Sequence, residues 1–328
     1  MSQLRKDPIT REWVCISTDR AKRPSDFRHK EEAALVRTSD HSVCPFCPGN
    51  ESASAESILV YSSDGGEWSL RVVPNKFPAL DGNAARTVTR HGIYQSMPGA
   101  GAHEVVIETR EHGKSLGHLE QSQVERVLNA YKERYLALEK DPQIKYILIF
   151  RNHGKVAGAS INHAHSQIIG SPMVPQQALV KIKGIELYED YFGICVYCDI
   201  LEEELRCGER VVAQNASFVA FAPFASRHPY EMWILPRKRE AHFARIGSEE
   251  TRDLAMILKD ALLRLDRCLG NPPYNYMILT TSLSEQFHWH LEIIPRLTIA
   301  AGFELGTGIY INVVAPEQAA ADLRDVSP

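Results

Sequence analysis

His163-Ala164-His165-Ser166-Gln167 lies midway along the chain, and the reading of this stretch decides what is built around it. In a strand, alternate positions face one side, so His163, His165 and Gln167 aim two imidazoles and a carboxamide at a common space. Ile168 and Ile169 continue the run until Gly170, Ser171 and Pro172 interrupt it, while upstream Gly154, Gly158, Ala159 and Ser160 form a loop of small residues. Backbone can approach a ligand closely there. One imidazole can ligate a metal through a neutral nitrogen while the other attacks an electrophile.

Working outward, Cys44-Pro45-Phe46-Cys47 has the spacing that lets two thiolates grip one ion, and His112 with His163 would complete a closed Cys2His2 shell. Zinc suits such mixed sulfur and nitrogen donors. The order then repeats. Cys195-Val196-Tyr197-Cys198 is followed by a lone His242 and by Phe287-His288-Trp289-His290-Leu291-Glu292. Each half also carries an amphipathic pattern, Val124, Val127, Leu128, Tyr131 and Tyr135 in the first, Leu254, Ile257, Leu258, Ala261, Leu262 and Leu265 in the second. Each predicted helix runs into a predicted strand, Ile144 to Phe150 and Tyr274 to Thr280. The chain therefore reads as two copies of one strand and helix unit, 1–175 and 176–328, an internal repeat of long period.

A length of 328 residues, 44% hydrophobic and 24% charged, is that of a globular protein with a substantial core. A net charge of −4 lacks the basic excess of a general nucleic-acid binder but is compatible with one local cationic pocket for a phosphorylated ligand. No apolar run is long enough to cross a bilayer, and the polar start from Met1 to Asp7 does not resemble a secretory signal, so a cytoplasmic protein is expected. In a reducing compartment the two Cys-x-x-Cys pairs read as metal knuckles, leaving Cys15, Cys207 and Cys268 as small buried or inert thiols. Loops are expected over 20–40, 62–67 and 81–101, with 171–190 connecting the halves and a short helix after Ala315.

Further landmarks follow in order: Asp7-Pro8 to Trp13-Val14, Arg20-Ala21-Lys22-Arg23-Pro24, Cys44 to Gly49, Asn75-Lys76-Phe77-Pro78-Ala79-Leu80, and Asn162 to Gln167. On these the sequence resembles the galactose-1-phosphate uridylyltransferase family of the histidine triad superfamily, with similarity to its ADP-glucose phosphorylase branch. The expected architecture is α+β: tandem histidine-triad-like halves, with two related, largely antiparallel sheets packed by helices and the active strand near their junction.

The resemblance implies that His165 attacks the α-phosphorus of a nucleoside diphosphate sugar, expels sugar 1-phosphate and carries the nucleotide covalently until a second phosphate takes it, a ping-pong scheme. Gln167 is similar to the family glutamine that hydrogen-bonds the phosphoryl group, and Ser160 and Asn152 to residues that contact phosphate or orient the histidine. Arg20 and Arg23 resemble the basic N-terminal segment, Asn75 a residue near the nucleoside, and Phe303 and Glu304 residues near the sugar phosphate. The implied metal shells are Cys44, Cys47, His112 and His163 for a structural zinc, and Cys195, Cys198, His242 and His288 for a second. His290 and Glu292 are then the counterparts of His165 and Gln167, with Glu292 a poor neighbour for an incoming phosphate.

Thr298, Ile299, Ala300 and Ala301 stand where a lysine would support galactose 1-phosphate, and the runs Asn271 to Ile278 and Gly302 to Gly308 look like the ADP-glucose phosphorylase branch. The leading expectation is transfer of UMP from UDP-glucose to galactose 1-phosphate; the alternative is an ADP-sugar phosphorylase using the same histidine and inorganic phosphate. A third class is a catalytically silent, zinc-containing nucleotide-binding protein. Expected partners are a nucleoside diphosphate sugar, a sugar 1-phosphate or phosphate, and a second copy of the chain as a homodimer, without nucleic acid or membrane.

Overall fold

Five strands are laid down in each half of the chain, and both halves arrange them in the same spatial order. In the computed structural model, which describes residues 2–18, 22–27, 41–82, 84 and 87–327, the first five are β3 (Leu59–Ser62), β4 (Trp68–Pro74), β7 (Ala102–Ile107), β8 (Tyr146–His153) and β9 (His165–Ser171). The second five are β10 (Val211–Gln214), β11 (Phe218–Phe221), β12 (Met232–Pro236), β13 (Tyr274–Leu279) and β14 (His290–Pro295). The sheet runs β10-β11-β12-β14-β13-β8-β9-β7-β4-β3, so in each half the last strand inserts between the third and fourth. The short β1 (Gln3–Lys6) and β2 (Trp13–Ile16) pair with β15 (Ile311–Asn312), and β5 (Thr89–His91) with β6 (Tyr94–Ser96), away from this sheet.

Two separate sheets were expected for the two halves; the structure merges them into one ten-stranded sheet. Its halves join where β8 pairs antiparallel with β13, Asn152 opposite Asn275 and Phe150 opposite Met277. β-Branched and aromatic residues crowd both strands, which suits positions flanked on each side by a neighbour. The α+β class and antiparallel pairing are as expected.

The helix between the third and fourth strands of each half, α1 (Gln121–Glu139) and α4 (Ser248–Leu269), lies on one face of the sheet. Val124, Val127, Leu128, Tyr131 and Tyr135 of α1, and Leu254, Ile257, Leu258, Ala261, Leu262 and Leu265 of α4, are all buried, so the helical periodicity named the core residues correctly. They pack on Val106, Ile149, Ile168, Ile278, Leu291 and Ile293. A fully buried side chain of this kind is worth about 1.5–3 kcal/mol, which makes this layer the main source of cohesion.

The opposite face is covered unevenly. Over the second half lie α2 (Gln176–Phe192) and α3 (Val196–Cys207), whose Ile182, Ile185, Val196, Tyr197 and Leu201 pack on Phe221, Trp233, Leu235 and Phe287. Over the first half, among the described residues, lies a small cluster of Cys44, Phe46, Cys47, Val73, Val105 and Ile107. The expected connection at 171–190 is thus largely α2, which starts after Pro175 and ends at Gly193, where a φ of 75° suits glycine at a helix terminus. The helix after Ala315 is α6 (Pro316–Asp325), preceded by the short α5 (Gly302–Thr307).

Candidate active site

β9 begins at His165, so His163 precedes the strand rather than lying within it. This difference separates the two imidazoles. His163 turns to the Cys-x-x-Cys loop, where the Cys47 N–H donates to the Cys44 carbonyl and Asn50 Nδ2 donates to the carbonyls of His41, Ser42 and Cys44. Cys44, Cys47, His112 and His163 offer four ligand atoms that all lie within 4.8 Å of one another. Cys47 Sγ is 3.5 Å from His163 Nδ1 and 3.2 Å from His112 Nδ1, and Cys44 Sγ is 3.7 Å from His163 Nδ1. A tetrahedral ion with sulfur arms of about 2.3 Å and nitrogen arms of about 2.0 Å spans edges of roughly 3.6 Å, so the donor set fits a metal such as zinc.

The tautomer fits as well. His163 Nε2 lies 2.7 Å from the Thr109 carbonyl, which can only accept, so the proton is on Nε2 and the Nδ1 lone pair faces the sulfurs. Burial pushes His163 down to about 4, keeping the ring neutral, and burial together with the hydrogen bond to Cys44 pushes the Cys47 thiol up to about 11, a cost that a cation in the cluster would reverse.

His165 Nδ1 lies 2.8 Å from the carbonyl of His163, again an obligate acceptor, so Nδ1 carries the proton and Nε2 holds a free lone pair. Burial pushes this ring down to about 4, so the free base is the form present at neutral pH. At 7% exposure His165 still lines a cavity of about 470 Å³ together with Arg151, Asn152, Ser160 and Asn162. Gly154, at φ 80°, forms part of its wall, and a Cβ there would meet Pro273 Cβ at 2.9 Å. The arrangement supplies a neutral, oriented nucleophile beside polar groups.

Sequence reasoning missed the buried assembly behind this strand. Tyr131 Oη lies 2.6 Å from both Ser166 Oγ and Tyr276 Oη, and the buried Arg151 pairs with Glu108. Ser166 and Arg151 are inward positions of neighbouring strands, and only the register of β8 on β9 reveals that they belong together.

The other expected residues are distributed as follows. Asn152 lines the cavity and its Oδ1 accepts from Asn275 Nδ2 at 2.8 Å. Gln167 and Asn75 meet through His103, 2.7 Å and 3.0 Å from its Nε2. Arg23 is exposed, and Phe303 and Glu304 on α5 do not line the cavity of their own chain. Arg20 lies outside the described residues.

In the second half, Cys195, Cys198 and His288 cluster, with His288 Nε2 2.8 Å from the Pro236 carbonyl, the same tautomeric arrangement as His163. His242 is not in that group. Its Nε2 meets Glu139 Oε1 of α1 at 2.8 Å and its Nδ1 accepts from the Ala244 N–H at 3.2 Å in its own turn, so both nitrogens are used. The expected four-membered shell is a three-membered one among the described residues. Cys207, expected as a buried or inert thiol, is exposed.

Residues 1–175 match the family described as galactose-1-phosphate uridyl transferase, N-terminal domain. Over 99% of its length the chain is 37% identical to ADP-glucose phosphorylase of Arabidopsis thaliana, covering 93% of that protein. The chain belongs to the galactose-1-phosphate uridylyltransferase family. Within that nucleotidyltransferase family it is 30% identical to galactose-1-phosphate uridylyltransferase of Thermotoga maritima, over 99% of this chain and 98% of the other. The structure of the Arabidopsis thaliana ADP-glucose phosphorylase with bound ADP-glucose superposes with a TM-score of 0.84 at 36% identity over the full length of both chains. Residues 95–325 also match a family described only as a domain of unknown function. No helix among the described residues is long and apolar enough to cross a membrane.

Proposed function

We propose that this family member is an ADP-sugar phosphorylase. His165 Nε2 attacks the α-phosphorus of ADP-glucose; an N–P bond forms as the bond from that phosphorus to the bridging oxygen breaks, and glucose 1-phosphate leaves. An oxygen of inorganic phosphate then attacks the same phosphorus, the N–P bond breaks, and ADP leaves with the imidazole restored. The observation that carries this reading is the His165 ring, held by the His163 carbonyl with Nε2 unprotonated at the wall of the cavity. Ser160, Asn152 and Gln167 serve the phosphoryl oxygens, and Asn75 the nucleoside. The adenylyl donor is favoured by the 37% identity to a relative of that activity.

The second reading, UMP transfer from UDP-glucose to galactose 1-phosphate, uses the same two displacements and is supported by the relative of 30% identity. In both, zinc held by Cys44, Cys47, His112 and His163 is structural, since four protein donors leave no open position; it fixes the residue that orients His165. A second ion at Cys195, Cys198 and His288 and a homodimer in which Arg23, Phe303 and Glu304 reach a neighbouring site complete the proposal.

Donor and acceptor are tested together by incubating purified protein with ADP-glucose or UDP-glucose labelled in the nucleotide, then with phosphate or galactose 1-phosphate. Acid-labile nucleotidyl-histidine from ADP-glucose, discharged by phosphate and absent in His165→Ala, is expected. Labelling only by UDP-glucose selects the second reading, and labelling by neither donor overturns both.

A further inference from the structure

If Gln167 serves the phosphoryl group as proposed above, its carboxamide must be turned the right way round, because its oxygen would repel a phosphoryl group that its nitrogen would bind. An amide has two such orientations of nearly equal shape. His103 decides between them. It lies on β7 two positions from Val105, the residue paired with Gln167. Its Nδ1 is 3.0 Å from the backbone N–H of Ala79, which can only donate, so Nδ1 must hold a lone pair and the neutral ring carries its proton on Nε2. That N–H faces Gln167 Oε1 at 2.7 Å. The carboxamide oxygen is thereby committed to His103, and Nε2 is left as the group's remaining functional atom.

Asn75 is fixed by the same logic. Its Oδ1 accepts from the Phe77 N–H at 2.9 Å, which makes Nδ2, 3.0 Å from His103 Nε2, its donor end. The ring already donates from that nitrogen, so it cannot accept from Asn75, whose amide hydrogens stay available to a ligand. The register gives an internal control: the position that corresponds to His103 is Glu231, just before β12 and two before Trp233, which pairs with Glu292. A carboxylate beside a carboxylate locks no amide.

We propose that His103 is a positioning residue for nucleotidyl transfer, holding the Gln167 carboxamide in its phosphoryl-binding orientation and tying it to the 75–79 turn. This rests on the reading of His165 as nucleotide carrier, so the test has an arm that does not. The first arm measures single-turnover nucleotidylation of His165 by ADP-glucose and by UDP-glucose in the wild type, His103→Phe, His103→Gln, Gln167→Ala and the double variant His103→Phe with Gln167→Ala. His103→Phe is expected to slow nucleotidylation about 10- to 100-fold with donor affinity, metal content and melting temperature little changed. His103→Gln, which can both accept from Ala79 and donate to Gln167, is expected to recover most of that loss. In the Gln167→Ala background His103→Phe should cost less than about 2-fold, because the group it orients is gone.

Multiplying losses in the double variant, or an effect of His103→Phe on melting alone, would overturn the proposal. The second arm reads the ring by ¹⁵N NMR of the intact protein, with His103→Gln assigning the signal. A protonated Nε2 and bare Nδ1 are expected; a proton on Nδ1 overturns the proposal whatever the turnover. Wild-type protein that forms no nucleotidyl-histidine with either donor would instead sink the functional reading, with the ring tautomer still deciding the geometry.

Discussion

The strand that carries His165 and the strand that carries His290 occupy the same place in the two halves, and their histidines use the same backbone bond. His290 Nδ1 lies 3.0 Å from the His288 carbonyl as His165 Nδ1 lies 2.8 Å from that of His163. Their surroundings differ completely. His165 borders the cavity and has Phe46 at 5.4 Å, whereas His290 is 0% exposed, with Tyr197, Trp233 and Phe287 rings at 4.8, 5.4 and 6.0 Å. Its Nε2 faces Glu292 Oε1 at 3.3 Å, and Glu292 is paired with Lys181 of α2. On the reading proposed above, a nucleophile is made less by the imidazole than by what covers it: α2 and α3 lie over one histidine, and among the described residues the Cys44–Cys47 loop lies over the other.

The sharpest way to break this comparison is to remove each ring in turn. His165→Ala is expected to lower nucleotide transfer on the order of 10⁴-fold or more while leaving fold and metal in place, and His290→Ala to leave it within about 3-fold. Equal losses in a transfer assay would mean that the buried histidine is not a bystander.

The metal clusters give the next largest contrast. Structural zinc binding is coupled to folding with a free energy on the order of 10 kcal/mol, so Cys47→Ser is expected to lose its ion and lower the melting temperature by about 10 °C or more. The three-donor group should hold its ion more weakly. Elemental analysis during chelator titration should show the second-half ion leaving first, and simultaneous loss would contradict the difference in donor number.

A third contrast lies in the charges. Although burial pushes the Glu292 carboxyl up, Lys181 and His290 outweigh it and hold it well below the usual range. Lys181→Met would strand a buried carboxylate and is expected to cost about 3 kcal/mol in chemical denaturation with transfer activity retained. A cost near zero would show that the pair is dispensable.

The smallest effect concerns pH. Burial, then repulsion from Glu292, pushes Glu231 from its ordinary 4.5 up to about 7. The folded state therefore binds this proton more tightly than the unfolded state, and the stability it contributes is fully present below about pH 4.5 and lost as pH rises through about 7. Glu231→Gln keeps an acceptor for the N–H groups of Arg227 and His228 and should remove about 2–3 kcal/mol of that decline between pH 5 and 8. An unchanged slope in denaturation across that range would show that Glu231 does not titrate there.

Much of this was legible in the chain because the signals are local. Periodicity placed α1 and α4, Cys-x-x-Cys spacing placed both cysteine loops, and His-x-His-x-Gln placed the strand that carries His165 and Gln167. What failed depends on which strands lie beside one another. His242 has the right identity and order for a ligand, but Glu139 on α1, far away in sequence, takes its ring. His103 has no motif of its own, since its meaning comes from the register of β7 on β9 and from one backbone N–H in a turn. The continuous sheet was equally hidden, because nothing in either β8 or β13 alone says that each is the other's neighbour.

That shared β8–β13 seam has a consequence for cutting the protein in two. Each strand pairs its partner's row of backbone donors and acceptors, and separation would leave an unpaired strand edge of the kind that recruits other chains. Expressed alone, either half should therefore aggregate rather than fold as a soluble miniature, and co-expression of the two pieces should rescue both.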